Sequence, residues 1–214
     1  MYNTVIFDLD GTLLNTLEDL TDSTNYALSK HGYNERSIDE VRRFVGNGIR
    51  KLIERALPSG VTDDEFDAVF SDFKSHYQNH CNDKTGPYDG VLPLLRELKG
   101  MGIKMGIASN KVKSAVVKLN EIYFEGLIDI AAGVEENKPV KPDPYMVNSM
   151  IKELGCDKEN ILYVGDSQVD VMTAQNSGLD MVAVLWGFRD LEELKEAGAD
   201  RFISHPLELL KYFE

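Results

Sequence analysis

The 214-residue chain has few cysteines, a shortage of positive charge and no long apolar run, and each of these absences removes a class of protein. Cys81 and Cys156 are too few and too far apart for a disulfide framework or a thiolate metal centre, and they read as free thiols of a reducing compartment. No stretch of about 18 apolar residues occurs, which argues against a membrane-spanning helix. No basic segment followed by an apolar run of roughly 7–15 residues stands near the N-terminus, which argues against a secretory signal, so a cytoplasmic location is expected. Lys plus Arg number 23 against 36 Asp plus Glu, and the net charge of -13 opposes nonspecific binding to nucleic-acid phosphates or anionic lipid. Neither nucleic acid nor membrane is therefore expected as a partner. Repeats and low-complexity tracts are absent, and a composition of 43% hydrophobic and 28% charged residues suits a globular protein of one domain, or of one domain with an insertion.

What the chain does have begins with "VIFDLDGTLLNT", residues 5–16. Val5, Ile6 and Phe7 favour a strand buried on both faces, which places Asp8 and Asp10 at its carboxyl end. From about residue 15 to 80 the spacing is helical throughout. Leu17, Leu20, Thr24, Ala27 and Leu28 line one face of a first helix that Gly32 ends. "SIDE" has capping-box spacing at Ser37 and Glu40, and Ile49, Leu52, Ile53, Ala56 and Leu57 form one stripe. "TDDE" repeats the box at Thr62 and Glu65, ahead of Phe66, Val69, Phe70 and Phe73. After "TGPYDGV" helices and strands alternate with short connections: a helix over about 90–99, strand "IKMGIAS", a helix from 111, strand "LIDIAAG", a helix after Pro144, strand "ILYVGDS", a helix from Val169, strand "MVAVLW" and a last strand near "RFIS" with a helix behind it. Such alternation predicts an α/β fold, a Rossmann-like parallel sheet covered on both faces, with the helical bundle inserted after the first strand. The expected division is residues 1–14 plus 84–214 for the sheet domain and 15–83 for the helical cap.

Ligands of open parallel sheets bind at the carboxyl ends of the strands, near the switch point of the strand order. That rule selects the loops "DLDGT", "SNK" and "GDSQVD", which supply Asp8, Asp10, Ser109, Asn110, Asp166 and Asp170. Carboxylates gathered at one sheet end repel one another unless a cation neutralises them or their pKa values rise. Mg2+ takes oxygen ligands, uses one or two carboxylates and leaves room for a substrate phosphate, which Asp8 and Asp166 would satisfy. Taken alone, Asp-x-Asp-Gly reads as a strand end capping a turn, and Ser109 with Asn110 reads as a helix cap. Asp170 alone reads equally as a favourable charge in the first turn of a helix. Gly46, Asn47 and Gly48 precede the helix carrying Arg50 and Lys51, so their amides either cradle an anionic group or simply form a helix-helix turn. His76 and His80, four residues apart, lack a third ligand nearby and read as part of a surface or cap face, and His31 and His205 stand apart from both.

"DLDGT", a Ser-Asn pair after the next sheet strand, "KPDP" and "GDSQVD", in that order, resemble the four motifs of the haloacid-dehalogenase superfamily of phosphatases over essentially the whole chain. The cap segment "FVGNGIRKLIERAL" is similar to that of phosphoglycolate phosphatases. The resemblance implies that Asp8 is the nucleophile and forms an aspartyl-phosphate, and that Asp10 is the general acid and base. Asp10 also marks the phosphotransferase members, because the dehalogenases that name the superfamily lack this second Asp. The resemblance further implies that Mg2+ is held by Asp8, the backbone carbonyl of Asp10 and Asp166. Phosphate would be bound by Gly11, Thr12, Ser109, Asn110 and Lys141, the non-transferred end of the substrate by Gly46, Asn47 and Gly48, and Asp170 would orient Lys141 or a metal-bound water. Lys138, also followed by proline, is the rival of Lys141, and the family's Lys-Pro-x-Pro pattern favours Lys141.

The expected activity is Mg2+-dependent hydrolysis of a small phosphomonoester, 2-phosphoglycolate first. Pyrophosphate, a nucleotide or a sugar phosphate, including phosphomutase chemistry, and non-catalytic phosphate binding are the alternatives. The expected assembly is a monomer or homodimer.

Overall fold

Strand β1 (Thr4–Phe7) is apolar on both faces, and all four of its residues are buried in the computed structural model, which describes residues 1–214. After it come β2 (Leu14–Asn15), the helices α1 (Leu17–Lys30), α2 (Ile38–Phe44), α3 (Ile49–Ala56) and α4 (Asp63–His80), and β3 (Gly86–Pro87). The remainder alternates: α5 (Val91–Gly100), β4 (Lys104–Val112), α6 (Lys113–Phe124), β5 (Ile130–Val134), α7 (Tyr145–Leu154), β6 (Ile161–Gly165), α8 (Gln168–Ser177), β7 (Asp180–Val184), α9 (Leu191–Glu196) and β8 (Phe202–Ile203). Contacts along the chain separate two units, Met1–Leu14 with Pro87–Glu214, and Asn15–Gly86.

The first unit is built on a six-stranded sheet of order β5-β4-β1-β6-β7-β8 in which every pairing is parallel. The chain runs outward from β1 through β4 to β5 and then returns to β6 on the other side of β1, so the strand order reverses around β1. Phe7 pairs with Ile107 of β4 and with Val164 of β6, and this register places Asp8, Ser109 and Asp166, one or two residues further on, at the same edge of the sheet. Alternate residues serve opposite faces. Val5, Phe7, Leu162 and Val164 pack in one apolar cluster, while Ile6 and Tyr163 pack in the other with Met150 and Ala174. Helix α9 carries no periodic signal in the sequence: its six residues, "LEELKE", are too few to show a period, although Asp190 and Glu193 form a capping box.

The second unit is a four-helix bundle whose core joins Leu20, Ala27 and Leu28 of α1 to Val41, Leu52, Ile53, Phe66, Val69 and Phe73. Both expected capping boxes are present, Ser37 with Glu40 and Thr62 with Glu65, each side chain taking an N–H that the helix leaves unpaired. Lys84 and Thr85 belong to this unit because Asp19 accepts from both of their N–H groups and from the Thr85 hydroxyl. No helix is long and apolar enough to cross a membrane.

Candidate active site

Asp8 continues the sheet by one residue, donating its N–H to the Val164 carbonyl at 2.8 Å, and the chain then turns sharply. Leu9 is buried and its carbonyl accepts from Thr12, Leu13 and Leu14, while the N–H of Gly11 goes to Leu14 at 2.9 Å. The amides of Gly11 and Thr12 are thus committed to closing the turn. Gly11 has φ +90°, and a Cβ there would collide with the Asp166 carboxylate, so glycine is required both by conformation and by close approach. The Thr12 hydroxyl donates to Asp166 Oδ1 at 3.4 Å, and the Trp186 indole N–H holds the Thr12 carbonyl at 3.0 Å.

Lys141 is buried, and its ammonium meets three oxygens: Asp8 Oδ1 at 2.7 Å, Asp170 Oδ1 at 2.8 Å and the Tyr163 hydroxyl at 3.0 Å. Asn110 holds its main chain from both sides, with Nδ2 donating to the Lys141 carbonyl and Oδ1 accepting the Lys141 N–H, each at 2.9 Å. Neither Asn110 nor Ser109 stands at a helix start as expected. Strand β4 runs on through Val112 with a bulge after Ala108, and α6 begins at Lys113. Ser109 Oγ accepts the Lys111 N–H at 3.1 Å inside that extended segment. Lys138, by contrast, is exposed and lies over the Tyr145 ring at 5.2 Å.

Asp166 follows Gly165 at the end of β6 and is buried. Its Oδ2 accepts the Phe188 N–H at 2.7 Å, and a Cβ at Gly187 would strike both Asp166 and the Gly11 carbonyl. Asp170 is the third residue of α8, where its Oδ2 takes the Ser167 N–H and hydroxyl in a capping box while its Oδ1 faces Lys141. The helix-terminus reading and the positioning reading of Asp170 therefore hold together, one on each oxygen. Asp10 is partly exposed, and its Oδ1 lies 2.8 Å from the ammonium of Lys111, a lysine buried almost as deeply as Lys141.

Burial dominates the electrostatics. It pushes the Asp8 carboxyl well above the usual range, with Lys141 pulling the other way and Asp170, Asp166 and Asp10 adding to the rise. Asp166 is pushed up to about 7, first by burial and then by Asp170, against the Phe188 N–H and Arg189. For Lys141 burial acts to lower the pKa, but the Asp170 and Asp8 carboxylates outweigh it and hold the ammonium charged. Asp8, Asp166 and Asp170 each offer a carboxylate oxygen, and the three oxygens lie within 4.8 Å of one another. Buried oxygens that resist ionisation and converge in this way suit a hard divalent cation such as Mg2+. Asp170 is the most heavily engaged of the three, accepting from Lys141, the Tyr163 hydroxyl and both Ser167 donors, against the Phe188 N–H and the more distant Thr12 hydroxyl on Asp166 and Lys141 on Asp8, so Asp8 and Asp166 are the better ligands.

In the helical unit, Gly46 and Gly48 have φ +122° and +83°, and Gly48 caps α3. Arg55 holds this loop, donating to the Phe44 carbonyl at 2.7 Å and to Asn47 Oδ1 at 2.8 Å. His76 and His80 stack on each other at 4.3 Å and bond to Ser23 and Asp83 respectively.

Sequence reasoning missed Lys111, Tyr163, Gly187, Phe188 and Arg189. "SNK" did place a cation in a selected loop and could have flagged Lys111. The Gly187–Arg189 segment follows β7, outside the three loops that the switch-point rule selected.

A family model described as haloacid dehalogenase-like hydrolase matches residues 5–184. A phosphoglycolate phosphatase of Rhodobacter capsulatus is 34% identical over 189 residues, 86% of this chain and 85% of its own length. The N-acetylmuramic acid 6-phosphate phosphatase of Pseudomonas aeruginosa is 29% identical over 208 residues, covering 96% of this chain and 92% of its own. A crystal structure from Lactobacillus delbrueckii subsp. bulgaricus, 33% identical, superposes with a TM-score of 0.94 over 99% of this chain and 98% of that one.

Proposed function

This chain belongs to the haloacid dehalogenase-like hydrolases and is a phosphatase of that family, and from that premise we propose that it hydrolyses small phosphomonoesters through a covalent intermediate on Asp8, with 2-phosphoglycolate as the preferred substrate. The observation that carries the mechanism is the Lys141 ammonium at 2.7 Å from Asp8 Oδ1, buried at the carboxyl end of β1. A carboxylate held beside a fixed cation is oriented to attack, and the cation also neutralises the oxygens of the group being transferred. Asp8 forms a bond to phosphorus as the ester P–O bond breaks, and the departing alkoxide takes a proton from Asp10. Water then gives a proton to Asp10 and attacks phosphorus, the P–O bond to Asp8 breaks, and inorganic phosphate leaves. With Lys111 on Oδ1 of Asp10, Oδ2 is the atom that moves the proton.

Asp8, Asp166 and the main-chain carbonyl of Asp10 would hold Mg2+, which when bound supplies charge to the phosphoryl oxygens and screens Asp8 from them. Ser109 offers its hydroxyl to the phosphoryl group. Gly11 and Thr12 close the turn that carries both aspartates, Asn110 fixes the main chain of Lys141, and Asp170 orients its head. Within the helical unit, Arg55 sets the conformation of the Gly46, Asn47 and Gly48 loop. The substrate preference rests on the phosphoglycolate phosphatases among the relatives. The Pseudomonas relative named for a sugar phosphate supports that class as the second reading.

A panel of small phosphoesters with Mg2+, run for wild type and Asp8→Asn, tests both levels. Phosphoglycolate is expected to give the highest kcat/KM and Asp8→Asn to lose at least about 10^4-fold. A sugar phosphate turned over faster removes the substrate, and retained activity in Asp8→Asn removes the nucleophile. Undiminished turnover in EDTA removes the metal.

A further inference from the structure

Tyr163 has no task in the scheme above. It lies on β6, three residues before Asp166, and is fully buried, with its ring among Ile6, Met150 and Ala174. Phenylalanine would fill that apolar layer without bringing a hydroxyl that needs partners. The hydroxyl is 3.0 Å from Lys141 Nζ and 3.0 Å from Asp170 Oδ1, so it accepts from the first and donates to the second. An ammonium has three N–H groups in tetrahedral array. Here the three acceptors are Asp8 at 2.7 Å, Asp170 at 2.8 Å and Tyr163 at 3.0 Å.

We propose that Tyr163 is the positioning residue of Lys141: its hydroxyl and Asp170 take two of the three N–H groups and so fix the third on Asp8 and on the phosphoryl group that Asp8 receives. Each N–H of the ammonium has an acceptor in this arrangement. With the tyrosine oxygen gone, one N–H of a buried ammonium has no acceptor in the apolar layer, and the head turns to share the remaining carboxylate oxygens. A cation displaced by a fraction of an ångström stabilises the transferring group less, although ground-state binding changes little. The kinetic consequence rests on the phosphoryl transfer assigned to Asp8, whereas the anchoring of the ammonium does not depend on it.

The test is Tyr163→Phe in the full chain, read in two ways. In the first, proton–nitrogen spectra of the lysine ammonium groups are recorded, with Lys141→Met identifying the Lys141 resonance. The wild type is expected to show that resonance protected from exchange with water, and Tyr163→Phe to broaden or lose it. In the second, kcat with Mg2+ is expected to fall by about 10- to 100-fold while KM changes by less than about threefold. A wild-type ammonium in fast exchange overturns the anchoring without any variant, which also covers a Tyr163→Phe protein that fails to fold. An unchanged resonance and kcat in Tyr163→Phe overturns it, as does a lower melting temperature with kcat per folded molecule intact. Loss of Mg2+ affinity in calorimetry with the resonance preserved would make Tyr163 a support for Asp170 and overturn it as well. If the wild type turns over no phosphoester, the Asp8 reading fails, and the ammonium spectra still decide the role of Tyr163.

Discussion

Two lysine–aspartate pairs in this molecule have the same length and opposite meaning. Lys30 meets Asp72 in the helical bundle at 2.7 Å, with side chains 51% and 26% exposed, and Lys141 meets Asp8 at the sheet end at 2.7 Å, with side chains 2% and 10% exposed. Water screens the first pair, and holding two long side chains together costs rotamer entropy, so the pair contributes little. The second pair sits where desolvation is expensive and removal of one partner leaves charge uncompensated. Distance therefore does not rank ion pairs, but burial does, and the sheet-end pair is the one that is costly to break.

Removing each lysine in turn should separate the two pairs most strongly. Lys141→Met leaves Asp8 and Asp170 buried without their shared cation, and a loss of about 3–5 kcal/mol of unfolding free energy is expected at neutral pH. Turnover should fall by at least about 10^2–10^3-fold, because a donor aimed at the transferring group is gone. Lys30→Met should leave the urea midpoint and kcat where they were. Urea titration of both variants is the measurement, and equal shifts would mean that burial does not separate the two pairs.

The same contrast explains what could be read from the sequence. Strands, helices and both capping boxes of the bundle were legible because their signals are local: "VIF" before "DLDG", or Thr62 three residues before Glu65. The carboxylates at the sheet ends were legible because the topology rule and the motif order agreed on the same loops. Lys111 was not, since its meaning depends on Asp10, 101 residues away, and nothing in "SNK" states which lysine is buried. Tyr163 read as a strand aromatic, and only the fold brings its hydroxyl to Lys141 and Asp170. The helix start at Ser109 was misplaced because β4 bulges and continues through Val112, an irregularity that side-chain alternation does not encode.

Glycines repeat the difference between crowded and open positions. A Cβ at Gly187 would overlap Asp166, whereas one at Gly100, the last residue of α5, meets nothing within 4 Å. Gly187→Ala is expected to turn the Asp166 carboxylate and weaken Mg2+ binding by about 10- to 100-fold, the range for groups that orient a metal ligand. Gly100→Ala is expected to leave Mg2+ binding alone. Calorimetric Mg2+ titration of both variants checks this, and an unaltered affinity in Gly187→Ala would show that Asp166 tolerates the crowding.

The smallest effect concerns pH, and here the two regions respond with opposite sign. Burial raises Asp166 from 3.8 to about 7, so between those values the metal-free folded state holds a proton that the unfolded chain has released. Unfolding then releases protons, and stability falls as pH rises through that window. Asp72 in the bundle is held low by hydrogen bonds from Lys30 and His31, so its contribution is present above the ordinary carboxylate pKa and is lost as the solution turns acid. In EDTA the melting temperature is expected to drop by a few degrees between pH 5 and pH 8. Asp166→Asn should flatten that slope, and Asp72→Asn should leave it unchanged. Mg2+ favours the ionised carboxylates, so it should raise the melting temperature more at pH 8 than at pH 5. A metal-free protein whose stability rises steadily from pH 5 to pH 8 would show that the sheet-end carboxylates ionise as readily as those of the bundle.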